Sequence, residues 1–276
     1  NASAFGYVNE ASGLASSALG FRNKAANEDA SAVGYGNNAG GVASSAFGFS
    51  NVAKVDYASA FGYSNEASGL ASSAVGFRNK AASENASAVG YGNNANALAA
   101  SAVGYNNTAG GVGSSTIGYN NTATNENASA FGYGNTAGGL ASSAFGFSNT
   151  ASGDNANAFG YNNIASGSKS NVFGTGNTVS GSSSTAVGTA NEVAAENSTA
   201  IGNNNTISSG AENSAALGNN ISISLKDSVA LGNNSTATAI NSVTGNSSYT
   251  KWAGVSDVVG VVSVGSSGAT RQIQNV

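Results

Sequence analysis

Among the 276 residues, the side chains whose type and spacing come nearest to chemistry are five carboxylates, Glu28, Asp56, Glu84, Glu126 and Asp154. Each stands six residues before a glycine that recurs along the chain. Carboxylates in such a column could ligate a hard cation such as Ca2+ or divide general-acid and general-base roles. Leu14, Val42, Leu70, Leu98, Val112 and Leu140 hold the same position elsewhere, so the acids fall mostly on alternate repeats, about 9.6 Å apart at the spacing of neighbouring strands. That is too dispersed for a cage of roughly six to eight oxygens, and no acid–base pair stands out. The Gly-Gly-x-Gly-x-Asp pattern of Ca2+-binding rolls is missing. The carboxylates therefore read as solvated turn charges, paired with Arg22, Lys24, Arg78 and Lys80 on nearby repeats.

Other chemistry lacks its residues. The chain contains no His, Cys, Met or Pro, which removes His bases, thiol nucleophiles, Cys/His zinc sites and disulfides. The expectation is a protein that is not an enzyme and has no catalytic, metal or cofactor site. A net charge of −4 with scattered Lys and Arg is not the footprint of a nucleic-acid binder. No apolar stretch reaches the roughly 20 residues of a membrane helix. Matches such as Asn106-Asn107-Thr108 fit the N-glycosylation pattern, but an Asn- and Ser-rich chain produces them by chance. Asn1 is already in phase with the repeat and no basic-then-apolar leader precedes it, so the sequence reads as a piece of something longer.

The elements that carry these residues follow from the repeat. Gly6, Gly20, Gly34 and their successors to Gly202 recur every 14 residues; a two-residue insertion near Ser209 and Gly210 then delays the next to Gly218, and Gly232 follows. Two before the glycine stands Ala4, Ala18, Ala32 or Ala46, with Thr116 and Val172 departing. Five after it comes Ala11, Ala25 or Ala39, later Val179, Val193, Ile207 and Ile223. Three after it stands Asn9, Asn23, Asn37 and so on, unbroken to Asn205. Apolar columns alternating with period 2 indicate strands, and glycine in mid-pattern opposes a helix. Each coil reads as two short strands and two tight turns, the Asn sitting in a turn, where it tolerates left-handed backbone angles and stacks its amide on the next coil.

Two short strands enclose a thin interior, which takes the Ala2, Ala4, Gly6 face and the Ala11 column and admits only small side chains. Ser3, Phe5 and Tyr7 then point outward. Along seventeen coils, about 80 Å at the strand spacing, the outward positions form an apolar stripe of Phe5, Leu19, Val33, Phe47, Phe61, Val75, Val89 and their successors, joined by the aromatic column from Tyr7 to Tyr161. A stripe this long calls for a partner surface. Three identical rods about one axis would supply it, with that column as the interface. The alternative is a wider roll that buries these side chains by itself.

Specific motifs sharpen the expectation. The segments Asn197-Ser198-Thr199-Ala200-Ile201-Gly202, Asn213-Ser214-Ala215-Ala216-Leu217-Gly218 and Asp227-Ser228-Val229-Ala230-Leu231-Gly232 resemble the S-V-A-I-G repeat of YadA-like heads in trimeric autotransporter adhesins, over residues 1–239. Earlier coils depart from the pattern, with Ser3, Ser17 or Ser31 where the family often has Val and with Phe before the glycine. The resemblance implies an all-β, left-handed parallel β-roll of 14-residue coils forming a homotrimer. It also implies export across the bacterial outer membrane to the cell surface, contact with the membrane only through a C-terminal anchor outside this sequence, and attachment to extracellular matrix proteins, host cells, other bacteria or abiotic surfaces. Residues 240–276 lose the register and hold the only Trp. Ser248-Tyr249-Thr250-Lys251-Trp252-Ala253-Gly254 is similar to the Trp-ring element that follows some of these rolls, and Val262 to Gly265 with Arg271 to Val276 resembles the lead-in to a neck, together a short β-rich cap. On that reading Trp252 packs at the three-fold seam; alternatively it caps the open end of one roll.

Function must then lie on the surface. Thr108, Thr122, Thr136 and Thr150, four after their glycines, mark a candidate contact face, on which many weak identical contacts would combine by multivalency. Two rivals remain at this point. The Thr column could be the array of an ice-binding solenoid, although Ile164 interrupts it, or the chain could be a structural shaft of a phage-type trimeric fibre.

Overall fold

The computed structural model describes residues 1–239 and 259–274 and divides into two compact units, Asn1–Ser148 and Asn149–Val276. In the first unit every coil contributes a five-residue strand and a two-residue strand, beginning with Ser3–Tyr7 and Glu10–Ala11 and ending with Ser143–Phe147. Long strands pair only with long and short with short, all parallel, each residue facing the one 14 later: Ala4 opposite Ala18, Ala18 opposite Ala32, Glu10 opposite Lys24. Among the described residues there is no helix. This is a parallel β-solenoid with the period expected from the glycines.

The second unit repeats the design from Thr150–Ala151 to Thr236–Ala237. Its two-residue insertion lies wholly in a turn, where Gly210 has a φ of 92°. Thr199 therefore faces Ala215, and Ala215 faces Val229, so the register survives. After the segment outside the described residues, Val262–Ser263 pairs in parallel with Val229 and Ala230 and adds one more strand to the stack. Arg271 fastens this end: its guanidinium donates to the Val264 carbonyl at 2.8 Å, to Ser235 Oγ at 3.2 Å and to the Asn233 carbonyl.

Interior and exterior fall where the alternation places them. The columns of Ala18 and Ala25 are at most 1% exposed throughout the first unit after its opening coil. A third interior column, four before the glycine, holds Ser or Ala. Where it is Ser, that side chain closes its own turn, as when Ser44 Oγ accepts from Gly41 N at 3.1 Å and donates to Gly41 O at 2.7 Å. The expectation that only small side chains fit does not extend to the second unit, where Val172, Val179, Val193, Ile207 and Ile223 are fully buried. In three of those coils the long strand keeps alanine, Ala186, Ala200 and Ala216, so a branched side chain on one sheet is accommodated by a methyl on the other. Introducing a cation into the all-alanine stretch has no such relief. Ala88→Arg is expected to cost well above roughly 3 kcal/mol and to open the coils around it. Unchanged thermal melting of that variant would overturn the inside–outside assignment.

The turns depart from the sequence reading in one respect. The left-handed residue is not the Asn of the column but the residue before it, Val8, Arg22, Ser50, Ser64, Arg78 and their equivalents, with a second corner at Ala15, Asp29, Ala43, Tyr57 and so on. A non-glycine residue in this region costs about 1–2 kcal/mol. After the first coil the offset is a backbone hydrogen bond to the previous coil at each corner, such as Arg22 N to Tyr7 O at 3.0 Å and Asp29 N to Leu14 O at 2.9 Å. The corner residue points outward, while the Asn turns inward and is buried.

Candidate functional site

What holds the outer face flat is the joint between glycine and asparagine. Each column glycine from Gly6 to Gly202 has φ between +115° and +126°, a region essentially closed to other residues, and its carbonyl is turned toward the previous coil. The Asn three residues on fills the space behind it. Asn37 Nδ2 donates to the Val33 carbonyl of its own coil at 2.9 Å and to the Gly48 carbonyl of the next at 2.7 Å, while its Oδ1 accepts from Asn51 N at 3.0 Å. Repeated up the stack within each unit, this gives an amide ladder in which the buried polar groups are paired. In the second unit it ends at Asn205, whose Oδ1 accepts from Ile221 N at 3.0 Å.

On this frame the column before the glycine stands outward. Leu19 is 45% exposed, Val89 37% and Phe5, on the edge coil, 77%; Phe61 and Val75 are also exposed, and Val33 and Phe47 half-buried. In the second unit Phe173, Val187, Ile201, Leu217 and Leu231 continue the pattern. Side chains of this size, one per coil and many of them more than a third open, exceed the scattered apolar residues of an ordinary monomer surface. Trp252, expected beside them, lies outside the described residues.

Two residues further on, the aromatic column forms an unbroken stack from Tyr7 through Phe21, Tyr35, Phe49, Tyr63, Phe77, Tyr91, Tyr105, Tyr119 and Tyr133 to Phe147, the centroids 4.7–5.2 Å apart. Its planes lie within 17° of parallel. The guanidinium of Arg22 lies 5.2 Å from the Phe21 ring centre and that of Arg78 5.1 Å from Phe77. Sequence reasoning found the aromatic column but not this seating. The signal was present in the adjacency Phe21-Arg22 and Phe77-Arg78.

The remaining candidates are dispersed. Glu28, Asp56, Glu84, Glu126 and Asp154 are exposed on the second turn of their coils, and Asp56 Oδ1 accepts from Val42 N at 2.8 Å. The expected pairing of that column with Arg22, Lys24, Arg78 and Lys80 is not what forms. Arg22 and Arg78 stand at the first turn and Lys24 and Lys80 on the short strand, whereas the acids stand on the second turn. Lys24 instead meets Glu10 on its own sheet at 3.3 Å, with the two side chains 49% and 57% exposed, a contact worth at most about 1 kcal/mol. Among the described residues no group of three or more acids comes together. Thr108, Thr122 and Thr136 stand in register on the short strands of the first unit, and Thr150 faces Ile164 in the second. The first three make a single file, because the next residue on each strand, Ala109, Ala123 or Ala137, is turned inside.

No curated protein matches the chain. A family model described as the YadA head domain repeat (2 copies) matches residues 1–23, 11–37, 39–65, 67–93, 109–135, 137–163, 180–205 and 226–243. Each full-length match spans two coils, the period and columns are those seen in the fold, and together they cover more than half of the sequence: the chain belongs to the YadA head domain repeat family.

Proposed function

We propose that three copies of this chain pack their file of Phe5, Leu19, Val33, Phe47, Phe61, Val75 and Val89 about a common axis. The assembly is the head of an adhesin, exported across the bacterial outer membrane and displayed on the cell surface. The observation that carries the reading is the file of large apolar side chains, one per coil and more than a third open at many positions, on a chain of the YadA head family. Each copy presents the same file, and a closed cyclic assembly covers it on every copy at once. The faces left outside, including Thr108, Thr122, Thr136 and Thr150, then contact matrix proteins, host cells or abiotic surfaces. Many weak contacts on three chains, and on many fibres per cell, combine through effective concentration.

Sedimentation velocity tests the assembly. The expected species is elongated, with a mass near three times 26.6 kDa, and Val75→Glu combined with Val89→Glu reduces it to monomers that keep their β-rich circular dichroism. Beads coated with the intact protein are expected to hold to matrix-coated, cell-coated or plastic surfaces more firmly than beads bearing the monomeric variant at equal density. A wild-type monomer would remove the seam, and equal retention of the two bead types would remove the multivalent mechanism.

A further inference from the structure

We propose that the outer edge of the first unit between Arg22 and Arg78 binds an elongated planar aromatic dianion, independently of the adhesive reading. Three observations meet there. The rings of Phe21, Tyr35, Phe49, Tyr63 and Phe77 follow one another at 5.0, 4.8, 5.0 and 4.7 Å, with planes inclined by 4–8°. They make a strip of stacked rings across five coils, Tyr35, Phe49 and Tyr63 exposed and Phe21 and Phe77 half-buried at its ends. The corner position beside each ring, in the same order, is Arg22, Gly36, Ser50, Ser64 and Arg78, so the strip is open along its middle and carries a cation at each end. Even a Cβ added at Gly36 would meet only Ser50 Oγ, at 3.6 Å.

The two guanidinium groups are also available. Each rests on its neighbouring ring, and neither makes an ion pair or a side-chain hydrogen bond among the described residues. Lys24 and Lys80 stand two residues beyond on the same edge; Glu10 engages Lys24, and Glu66 lies in register beside Lys80. Four coil steps put the cations about 19 Å apart. A flat, rod-shaped aromatic molecule with an anionic group toward each end matches that spacing. Its hydrocarbon lies along the ring edges, where aromatic contacts are favourable, and its anions reach the planar guanidinium forks. The molecule supplies its own contrast. The stack continues through Tyr91, Tyr105, Tyr119 and Tyr133, but the corner there is Gly92, Asn106, Asn120 and Gly134, with no cation.

The test titrates the full 276-residue protein with Congo red, a linear planar dye bearing a sulfonate toward each end, and reads induced circular dichroism. One saturable site per chain is expected, and Arg22→Gln with Arg78→Gln weakens it at least tenfold, each single change giving part of the loss. Both arginines are exposed, so far-UV circular dichroism and melting of the double variant stay as in the parent. Thioflavin T, planar but cationic, is expected to show no difference between parent and double variant. Absence of dye binding, many equivalent sites per chain, or an unchanged affinity in the double variant would each overturn the proposal.

Discussion

Gly90→Ala is expected to unfold the coils around it, at a cost above roughly 4 kcal/mol. Two independent terms act together. The φ of Gly90 is +121°, which a residue with a Cβ rarely adopts, and a Cβ built there would stand 2.1 Å from the carbonyl oxygen of Gly104 and 3.0 Å from Asn93 Nδ2. The first obstacle is backbone of the next coil and cannot swing aside. Moving it breaks the parallel pairing of Val89 with Val103 and the amide ladder together. Because each coil of a solenoid rests on its neighbours, the damage stays local: hydrogen exchange should accelerate in residues of the adjacent coils and remain slow farther away. The control is Gly176→Asn. Gly176 has φ +63° with nothing within 4 Å of the added Cβ, and Asn106 already occupies the equivalent corner at φ 53°. That change is expected to alter stability by less than about 1 kcal/mol and to lean toward stabilisation, since it narrows the unfolded ensemble. Equal melting of the two variants would show that the column glycine is not held by its geometry.

Asn93→Ala is the second large effect. Asn93 Nδ2 donates to the Val89 carbonyl at 2.9 Å and the Gly104 carbonyl at 2.6 Å, and its Oδ1 accepts from Asn107 N at 2.9 Å. Truncation leaves three buried backbone groups without that partner, each worth about 1–3 kcal/mol when unsatisfied; with partial relaxation the total is on the order of 4 kcal/mol. Asn93→Asp separates the amide's two roles. A carboxylate keeps the acceptor but faces two carbonyls, so the buried acid holds its proton to higher pH than in the unfolded chain. Below the unfolded pKa the variant retains most of its stability, and it loses stability as pH rises above that value. A melting temperature of Asn93→Asp that is flat or rising between pH 4 and 7 would contradict this account of the ladder.

The period alone made the solenoid legible. Ala18, Ala25 and their columns are inside because an alternation of two, locked to a repeat of 14, allows only one face per strand to be enclosed. The same alternation pointed Phe5 and Tyr7 outward. What it could not resolve was position within a turn. Val8 and Asn9 are adjacent, and the general fondness of Asn for left-handed angles favoured the wrong one of the pair; only the need to satisfy the Phe5 and Gly20 carbonyls reveals why the amide goes in and its neighbour bends. Volume was misjudged for a related reason. Ile207 and Ile223 fit because Ala200 and Ala216 in the same coils are small, a compensation between columns rather than within one. The charges were misassigned because Arg22 and Glu28 are close in sequence yet belong to different turns, which no spacing rule announces.

The corners carry one last consequence. Arg22, Ser50, Asn106 and Ala190 all adopt the same backbone at the same station, and what they share is a hydrogen bond through the main chain, not a side chain. The fold is therefore indifferent to what is written there, while the Asn and Gly beside them are fixed. Substitutions can therefore accumulate in this outer column one position at a time and leave the coil geometry unchanged.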